Sequence, residues 1–456
     1  MGKLWVCLLP LLVCPFVAQG QDALTLPEAV ELAVKNYPAV RVSLEQAAAA
    51  AAGVDVARAA YLPRADFLGQ VNRATRNNIF GLVLPQSVIP GISGPVLGTN
   101  DLTNVWGSAA GVLVSWEPFD FGLRHANIGI AESAQRGAKA GRAVTEFQVR
   151  AAAADAFLTV LAAEQRVTAS RAGVERARVL NEAVAAQANA GLRPGADAAR
   201  TRAELAAAGT QQIEAEGNAS IAKVALAQLL GVDPAKIAVT AGPLLEAPAE
   251  ALASVPPIEE HPFARKQGAA VDESRAREHA LARSYFPRFN LQASSYARGT
   301  GARLDGSTGG GLSGIGPNIQ NWALGMTVLF PALDFASLHA RERVEAHRTR
   351  AETAQYNRVL QDLEGETGKA KAQLDGARRV AANTPIQLEA AREAERQASA
   401  RYKAGLGTVV EVAEAERLLT QAETGDALAR LAIWRAMLAL AASDGSLDSF
   451  LKAAAK

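Results

Sequence analysis

Residues 398–411, ASARYKAGLGTVVE, interrupt a helical pattern that otherwise extends over residues 335–442. The interruption contains Gly405 and Gly407, and glycine commonly ends one helix before the next begins. Apolar residues recur at helical spacing on both sides of it. This stretch predicts one very long helical hairpin with a glycine-containing tip.

The same pattern is present a second time, 214 positions earlier in the chain. Asp120-Phe121 corresponds to Asp334-Phe335, and Ala190-Gly191-Leu192 corresponds to Ala404-Gly405-Leu406. Self-similarity at a fixed offset indicates internal duplication. The chain is therefore predicted to be a tandem repeat of two long helical hairpins.

The long helices need lateral neighbours, because each would extend on the order of 100 Å at about 1.5 Å per residue. Heptad spacing supplies apolar seams along them. The seam residues are Val144, Phe147, Ala151, Ala154, Leu158 and Leu161 in the first repeat, and Leu360, Leu363, Thr367, Ala370, Leu374 and Ala377 in the second. The alanines among them predict close packing.

Composition excludes several classes of function. The 456 residues are 49% hydrophobic and carry a formal net charge of +1, with basic and acidic residues interspersed. This balance argues against nucleic-acid binding. The five histidines show no metal-ligand spacing, and nucleophile, P-loop and dinucleotide motifs are missing. We therefore expect no enzyme activity, no cofactor and no metal site.

Residues 1–20 have the pattern of a secretory signal peptide, with a lysine, an apolar run and a small-residue cleavage site. Cys7 and Cys14 both lie in this segment, so the mature chain would have no disulfide. Lipidation of Cys14 is the alternative, but Val13 and Pro15 stand where small residues are needed. Beyond this segment, no apolar run reaches the length of about eighteen residues that predicts a transmembrane helix.

The hydrophobic period changes from helical to two after Pro63-Arg64 and again after Pro287-Arg288. Trp106 and Trp116 then lie on one face of a predicted strand, about 33 Å apart along it and about 25 Å apart at the tilt of a barrel strand. That height matches the apolar band of an outer-membrane barrel. Together with Trp322 and Phe330, they are predicted to form aromatic girdles. The alternative is a soluble sheet with two core tryptophans.

The predicted domain organisation follows from these patterns. It consists of a signal peptide (1–20), a first structural repeat (21–245), a linker (246–261), a second structural repeat (262–445) and a C-terminal tail (446–456). The first repeat has helix 38–62, strands 64–72 and 105–117, long helix 122–190 and helix 197–230. The second has helix 262–286, strands 288–297 and 321–330, long helix 335–404 and helix 409–442. Turn-rich segments between the strands of each pair, such as that around Pro85 and Pro90, predict exposed loops.

Four membrane strands per chain cannot close a barrel. An open edge in hydrocarbon leaves backbone groups without hydrogen bonds, so copies must associate until the sheet closes. Side chains would fill the interior of a barrel of eight strands, whereas a barrel of twelve strands begins to leave a passage. Three chains are therefore the smallest useful pore.

The order and spacing of these motifs resemble the TolC-type outer-membrane factors of Gram-negative bacteria. The resemblance covers essentially the whole mature chain and includes Tyr61-Leu62-Pro63-Arg64, Tyr285-Phe286-Pro287-Arg288, Phe119-Asp120-Phe121-Gly122 and both Ala-Gly-Leu tips. It implies a mainly α fold with transmembrane β-structure. In that fold a periplasmic α-barrel continues a twelve-stranded trimeric β-barrel in the outer membrane.

The resemblance also implies partners and a function. A homotrimer in outer-membrane lipid would dock on a periplasmic adaptor and conduct substrates passively from an inner-membrane pump of the RND, ABC or MFS type. A duct for type I protein secretion is open as an alternative. A periplasmic coiled-coil scaffold without a pore is the alternative from another class.

The tips are the first candidate functional residues. Gly191, Leu192 and Arg193 with Asp197, and Gly405 and Leu406 with Glu411, match the tip that the adaptor grips in this family. A purely structural interpretation is also open. In it the glycines end helices in a left-handed conformation, and the acids offset the positive end of the next helix.

The second candidates are Glu411, Glu414 and Tyr402, which match family residues at the tunnel constriction. Six carboxylates from three chains would repel anions and attract cations. Acids at a helix start without a gating role are the alternative. Gly407 stands where the family can carry a basic gate residue. Pro385 is predicted to kink its helix, either as a hinge or as a static bend.

Overall fold

A computed structural model describes residues 23–75, 103–248, 256–303, 305, 307–331 and 333–455. The predicted signal peptide with both cysteines lies outside these residues, as does the loop segment around Pro85 and Pro90. The described residues divide into two compact units. The tip unit lies within Met1–Val40, Glu146–Pro256 and Gly365–Lys456, and the sheet unit within Arg41–Thr145 and Pro257–Glu364. Both sequence repeats contribute to both units, so the compact units cut across the duplication.

The sheet unit contains one antiparallel four-stranded sheet in the order β1-β2-β3-β4. Its strands are β1 (Arg64–Thr75), β2 (Asn104–Phe119), β3 (Arg288–Thr300) and β4 (Ile319–Leu329). Three strands run past their predicted ends, because cross-strand hydrogen bonds continue into segments whose side-chain pattern is no longer alternating. The sequence predicts that β1 pairs with β2 and that β3 pairs with β4. The additional pairing of β2 with β3 joins the two repeats into one sheet.

The two faces of this sheet differ in exposure. Phe67, Trp322 and Leu324 are exposed on one face. Leu113 and Ser294 are opposite each other on the other face, and both are buried. The alternation predicted from the sequence is therefore present in the structure.

Four helices form the long hairpins. They are α3 (Leu123–Asn189), α4 (Gly195–Leu230), α6 (Phe335–Lys403) and α7 (Val409–Ser443). The helix α6 continues through Pro385. Two tandem hairpins with a small antiparallel sheet confirm the predicted fold class. None of the helices in the described ranges combines the length and apolar character that crossing a membrane requires.

The shorter helices that precede the sheet end earlier than predicted. They are α2 (Pro38–Ala59) and α5 (Pro262–Arg283), each of which ends three residues before its predicted limit. Leu62 and Phe286 directly precede prolines, and the proline ring disfavours a helical conformation of the residue before it. The chain therefore leaves the helix before it enters the strand.

The C-terminal segment, predicted only as a tail, contributes to the core of the tip unit. It forms α8 (Asp448–Ala455), which packs near the N-terminal helix α1 (Leu26–Asn36). Phe450 is fully buried, and its ring lies 6.2 Å from that of Trp434. The Trp434 indole N–H donates to the carbonyl of Glu246, 2.9 Å away, so part of the predicted linker is held here too. Short 3-10 helices at Pro234–Lys236, Gly242–Leu245 and Ile258–Glu260 complete the connections between the repeats.

A buried ion pair shapes the turn from β2 into α3 in the sheet unit. Asp120 accepts backbone hydrogen bonds from Gly122 and Arg124, and its Oδ2 lies 2.9 Å from the Arg124 Nε. These contacts hold Phe121 at a φ of 51°, a conformation that non-glycine residues rarely adopt. Arg124 also lies 4.6 Å from the centre of the Tyr61 ring, which connects the end of α2 to the start of α3.

Candidate functional site

Both hairpin tips have the same local geometry. Gly191 and Gly405 have φ values of 75° and 76°, in the left-handed region that closes a helix without steric cost only for glycine. Leu192 and Leu406 follow them and are 75% and 72% exposed. The predicted left-handed helix ends are therefore confirmed, and each presents an apolar side chain to solvent.

The acidic residues beyond each tip begin the next helix. Asp197 lies in the first turn of α4 and Glu411 in the first turn of α7. The Thr408 hydroxyl caps α7 by accepting a hydrogen bond from the backbone N–H of Glu411, 3.3 Å away. The carboxylates thus stand at the positive ends of their helices, as the structural interpretation of the tips requires.

Tyr402 connects the two hairpins within the tip unit. Its side chain is buried, and its hydroxyl donates to the Gln187 Oε1 at 3.2 Å. The Arg193 guanidinium lies 4.7 Å from the centre of the Tyr402 ring, close enough for a cation–π interaction. Around it, apolar side chains from both hairpins form one cluster: Leu180, Val184, Val409 and Val412. One predicted gate residue and one predicted docking residue are therefore in direct contact.

Glu411 and Glu414 are both exposed, and each has an arginine partner. The Glu411 Oε2 lies 3.9 Å from the Arg401 Nε, and the Glu414 Oε1 lies 2.6 Å from the Arg417 guanidinium. The hydrogen bond from Arg417 holds the pKa of Glu414 below its ordinary value. Sequence reasoning missed both arginines, although the spacing of three between Glu414 and Arg417 was a usable signal.

Glu416 is a further carboxylate that sequence reasoning missed. It lines a cavity of about 100 Å³ between α3, α4 and α7. Burial and the neighbouring carboxylate of Glu395 raise the pKa of Glu416 to about 7, although Arg176 acts in the opposite direction. Arg176 is engaged elsewhere, with its guanidinium 2.9 Å from the Glu423 carboxylate and 2.7 Å from the Thr420 hydroxyl. No sequence signal pointed to Glu416, because its environment comes from three other helices.

The strand register gives the positions of the predicted girdle residues within the sheet. Trp106 pairs with Arg73, whose guanidinium lies 5.3 Å from its ring centre. Trp116 lies near the helical end of β2, and its indole N–H donates to the Tyr61 carbonyl at 3.0 Å. Trp322 pairs with Ser295, which in turn pairs with Val112. Trp322 therefore lies in register with Val112 and not with Trp106. The register between the repeats depends on long-range pairing that spacing within one strand does not reveal.

A denser aromatic group lies at the helical end of the sheet. Phe119 and Phe121 have ring centres 4.6 Å apart, and Phe121 stacks on Phe286 at 5.7 Å. Phe330, the fourth predicted girdle residue, lies 6.2 Å from Phe335. The available signal for this group was the Asp-Phe pair, present at Asp120-Phe121 and Asp334-Phe335, and the Pro-Arg motifs that follow Leu62 and Phe286.

The residues described here include no group of three or more metal-ligating side chains close enough to hold a metal ion. The candidate functional features of the described residues are the two tips, the carboxylates beside them and the two-faced sheet.

Comparisons with known proteins agree with this fold. The profile of the outer membrane efflux protein family matches residues 29–232 and 258–446. Protein CyaE of Bordetella pertussis is 31% identical over 233 residues, which are 51% of this chain and 45% of CyaE. The match thus spans less than half the length of that relative.

Solved structures of similar proteins cover more of the chain. The outer-membrane channel OprN is 21% identical with a TM-score of 0.71, over 92% of this chain and 90% of OprN. The Campylobacter jejuni outer membrane channel CmeC is 15% identical with a TM-score of 0.73, over 92% and 85%. The open state of the Neisseria gonorrhoeae outer membrane channel MtrE is 18% identical with a TM-score of 0.69, over 92% and 89%. At these identities the likeness establishes the fold, and the family profile identifies this chain as a member of the outer membrane efflux protein family.

Proposed function

We propose that this chain is the exit duct of a tripartite export system in the outer membrane of a Gram-negative bacterium. Three copies conduct substrates passively from an inner-membrane pump and a periplasmic adaptor, and the chain itself performs no chemistry. The observation that carries this proposal is the two-faced sheet, which exposes apolar side chains on one face and ends, among the described residues, in two strands that each have one unpaired edge.

The edges of the sheet support association of copies. Within the described residues, β1 and β4 each pair on one side only. In hydrocarbon each unpaired backbone group costs several kcal/mol, so the sheet must close with other copies. Three copies give twelve strands, which leaves a passage through the centre.

The tips support docking and gating. Leu192 and Leu406 are apolar and exposed, which suits contact with the helical hairpins of an adaptor. Tyr402 and Arg193 hold the two hairpins together beside these leucines. An adaptor that binds the tips therefore acts on the contact that keeps the hairpins packed, and it opens the duct by favouring the separated state.

The first experiment is the native mass of mature protein extracted in detergent from an outer-membrane fraction. A trimer with conductance in a planar bilayer is expected. A monomer or dimer that is stable without detergent in the periplasmic fraction would contradict the duct and support a periplasmic scaffold. Two assays distinguish an efflux duct from a protein-secretion duct. One measures conductance to small ions, and the other measures export of a polypeptide in cells that carry the reconstituted system.

Two variants on one strand test the membrane face directly. Leu324→Arg places a charge on the exposed face of β4, where about 2–4 kcal/mol of destabilisation is expected at mid-bilayer. Thr327→Arg places the same charge on the opposite face and is the matched control. Equal trimer yield from both variants in the outer membrane would contradict a lipid-facing sheet.

A further inference from the structure

The two repeats meet inside the chain where β2 pairs with β3, a contact that we call the repeat junction. Val112 lies opposite Ser295 there, and Trp116 lies opposite Leu291. The first repeat contributes its second strand to this junction, and the second repeat contributes its first strand. Among the described strands, β1 and β4 are left with one unpaired edge each.

An aromatic contact accompanies the repeat junction at the helical end of the sheet. Phe119 ends β2 and lies 6.1 Å from Phe289 of β3, measured between ring centres. Phe121 precedes α3, and its ring centre lies 5.7 Å from that of Phe286. The repeats are therefore joined by side-chain packing as well as by backbone hydrogen bonds.

The duplication provides a counterpart for each side of this junction. The strand entry at Leu62 corresponds to that at Phe286, 224 positions later, and the helix start at Asp120 corresponds to that at Asp334, 214 positions later. With these offsets, β1 is the counterpart of β3, and β4 is the counterpart of β2. The two free edges of the sheet are therefore of the same two kinds that pair with each other inside the chain.

The counterparts of the aromatic contact are more exposed than the residues that they match. Leu333 matches Phe119 and is 97% exposed, against 53% for Phe119. Leu62 matches Phe286 and is 69% exposed, against 42% for Phe286. Two leucines at opposite edges of the sheet are therefore open to a further partner.

The offsets also give a strand register for the free edges. Applied to the pair Val112 and Ser295, they place Met326 opposite Val71. Both side chains are exposed and lie on the same face as Trp322. Residues that are opposite each other in an antiparallel pair share a face, and a slip by one residue would join the apolar face of one copy to the polar face of the next. The register taken from the duplication therefore keeps the apolar face continuous.

A glycine occupies the matching position in both cases. Gly111 lies opposite Tyr296 in the repeat junction, and a Cβ on Gly111 would lie 2.3 Å from the Tyr296 Cβ, which is too close for any other residue. Its counterpart is Gly325, which the same register places opposite Asn72. The feature that permits close strand pairing inside the chain is thus present at the free edge of β4.

We propose that the repeat junction is the template for the contact between copies of this chain. The strand β4 of one copy pairs with β1 of the next, with Met326 opposite Val71 of that copy, and Leu333 packs on Leu62 of that copy. Junctions within chains and between chains then alternate around the closed sheet. This inference rests on the proposed function, because it takes the closed ring of copies from it and specifies the residues that meet.

Disulfide cross-linking of V71C/M326C in the detergent-extracted protein tests the register. The natural cysteines, Cys7 and Cys14, both lie in the predicted signal peptide. Within one copy, positions 71 and 326 are on the outer strands of the sheet, about 14 Å apart at the usual strand spacing. A disulfide spans at most about 7 Å between Cα atoms, so any covalent link joins two copies.

Two matched pairs test a register that is slipped by two residues and keeps the same face. They are R73C/M326C and G69C/M326C. In the proposed register these positions are diagonal neighbours about 7–8 Å apart, beyond the reach of a disulfide. We expect covalent dimers and trimers from V71C/M326C, and a cross-linked fraction at least about tenfold lower from each slipped pair.

Charge substitutions test the leucine contact. Leu333→Asp places a carboxylate in the apolar contact and should raise the dissociation constant of the trimer at least about tenfold. Leu312→Asp changes another exposed leucine, in the connection between β3 and β4, and should leave the trimer intact. Adding Leu62→Lys to Leu333→Asp should restore much of the trimer, because the two new charges are opposite and in contact.

The outcomes distinguish failure of this inference from failure of the proposed function. Preferred cross-linking of a slipped pair, or equal cross-linking of all three pairs, in an intact trimer would refute the register and leave the duct in place. Equal trimer stability in Leu333→Asp and Leu312→Asp, or no rescue by Leu62→Lys, would refute the leucine contact. A wild type that is no trimer in detergent would contradict the proposed function, and this inference with it.

Discussion

We predict that Glu416 makes the packing of α7 in the tip unit dependent on pH. Burial and Glu395 on α6 raise its pKa from 4.5 to about 7. Arg176 faces it from α3, Glu204 lines the same cavity from α4, and α7 itself contributes Arg417 and Glu423 nearby. The surroundings on balance favour the neutral carboxyl.

Proton linkage gives the direction in which stability changes with pH. The folded state binds the Glu416 proton more tightly than the unfolded state, so the contribution to stability is complete below about pH 4.5 and is lost as pH rises through about 7. A shift of about 2.5 pH units corresponds to at most about 3.4 kcal/mol. The side chain is partly exposed, so solvent screening reduces the expected loss to about 1–2 kcal/mol.

The variant Glu416→Gln carries a neutral group at every pH. We expect it to match the wild type at pH 5 and to be more stable at pH 8. The assay is amide hydrogen exchange of α7 in the detergent-extracted protein, corrected for the intrinsic pH dependence of exchange. Local opening in the wild type should become about 5- to 30-fold more frequent between these pH values, whereas the variant stays constant.

Glu414→Gln is the matched control, because Glu414 is exposed and hydrogen bonds from Arg417 lower its pKa. It should leave the pH dependence of the wild type in place. An unchanged pH slope in Glu416→Gln, or opening that becomes rarer as pH rises in the wild type, would refute the assignment.

Three other substitutions test the contacts at the tips and in the hairpin. Gly405→Ala forces a side chain into a φ of 76° and should destabilise the tip by about 1–2 kcal/mol, which a pull-down should detect as weaker binding of an adaptor hairpin. Gly209→Ala, in the middle of a helix, is its control. Tyr402→Phe removes the hydrogen bond to Gln187 and should cost about 0.5–1.5 kcal/mol in thermal unfolding, so an unchanged Tm would show that this bond contributes nothing. Thr384→Val removes the hydroxyl that donates to the buried Asp426 at 3.0 Å beside the proline of α6, and the expected loss of about 1–3 kcal/mol should appear as a lower Tm.

The helices, strands and tips of this protein follow from its sequence alone, because their causes are local. A heptad pattern, glycines at a fixed offset and a change of period after Pro-Arg are properties of short segments. They predicted the hairpins, the left-handed tips at Gly191 and Gly405, and the alternating faces of the strands. The order of these motifs also carried the resemblance to the family.

Features that depend on partners distant in sequence are set by the folded structure and could not be predicted from local patterns. The level of Trp322 relative to Trp106 is set by pairing of β2 with β3, and the burial of Phe450 by packing against Trp434. Tyr402 meets Gln187 and Arg193 only because the two hairpins lie side by side in the tip unit. The raised pKa of Glu416 likewise comes from charges on neighbouring helices, and the field at a side chain depends on distances in space, which a linear pattern does not contain.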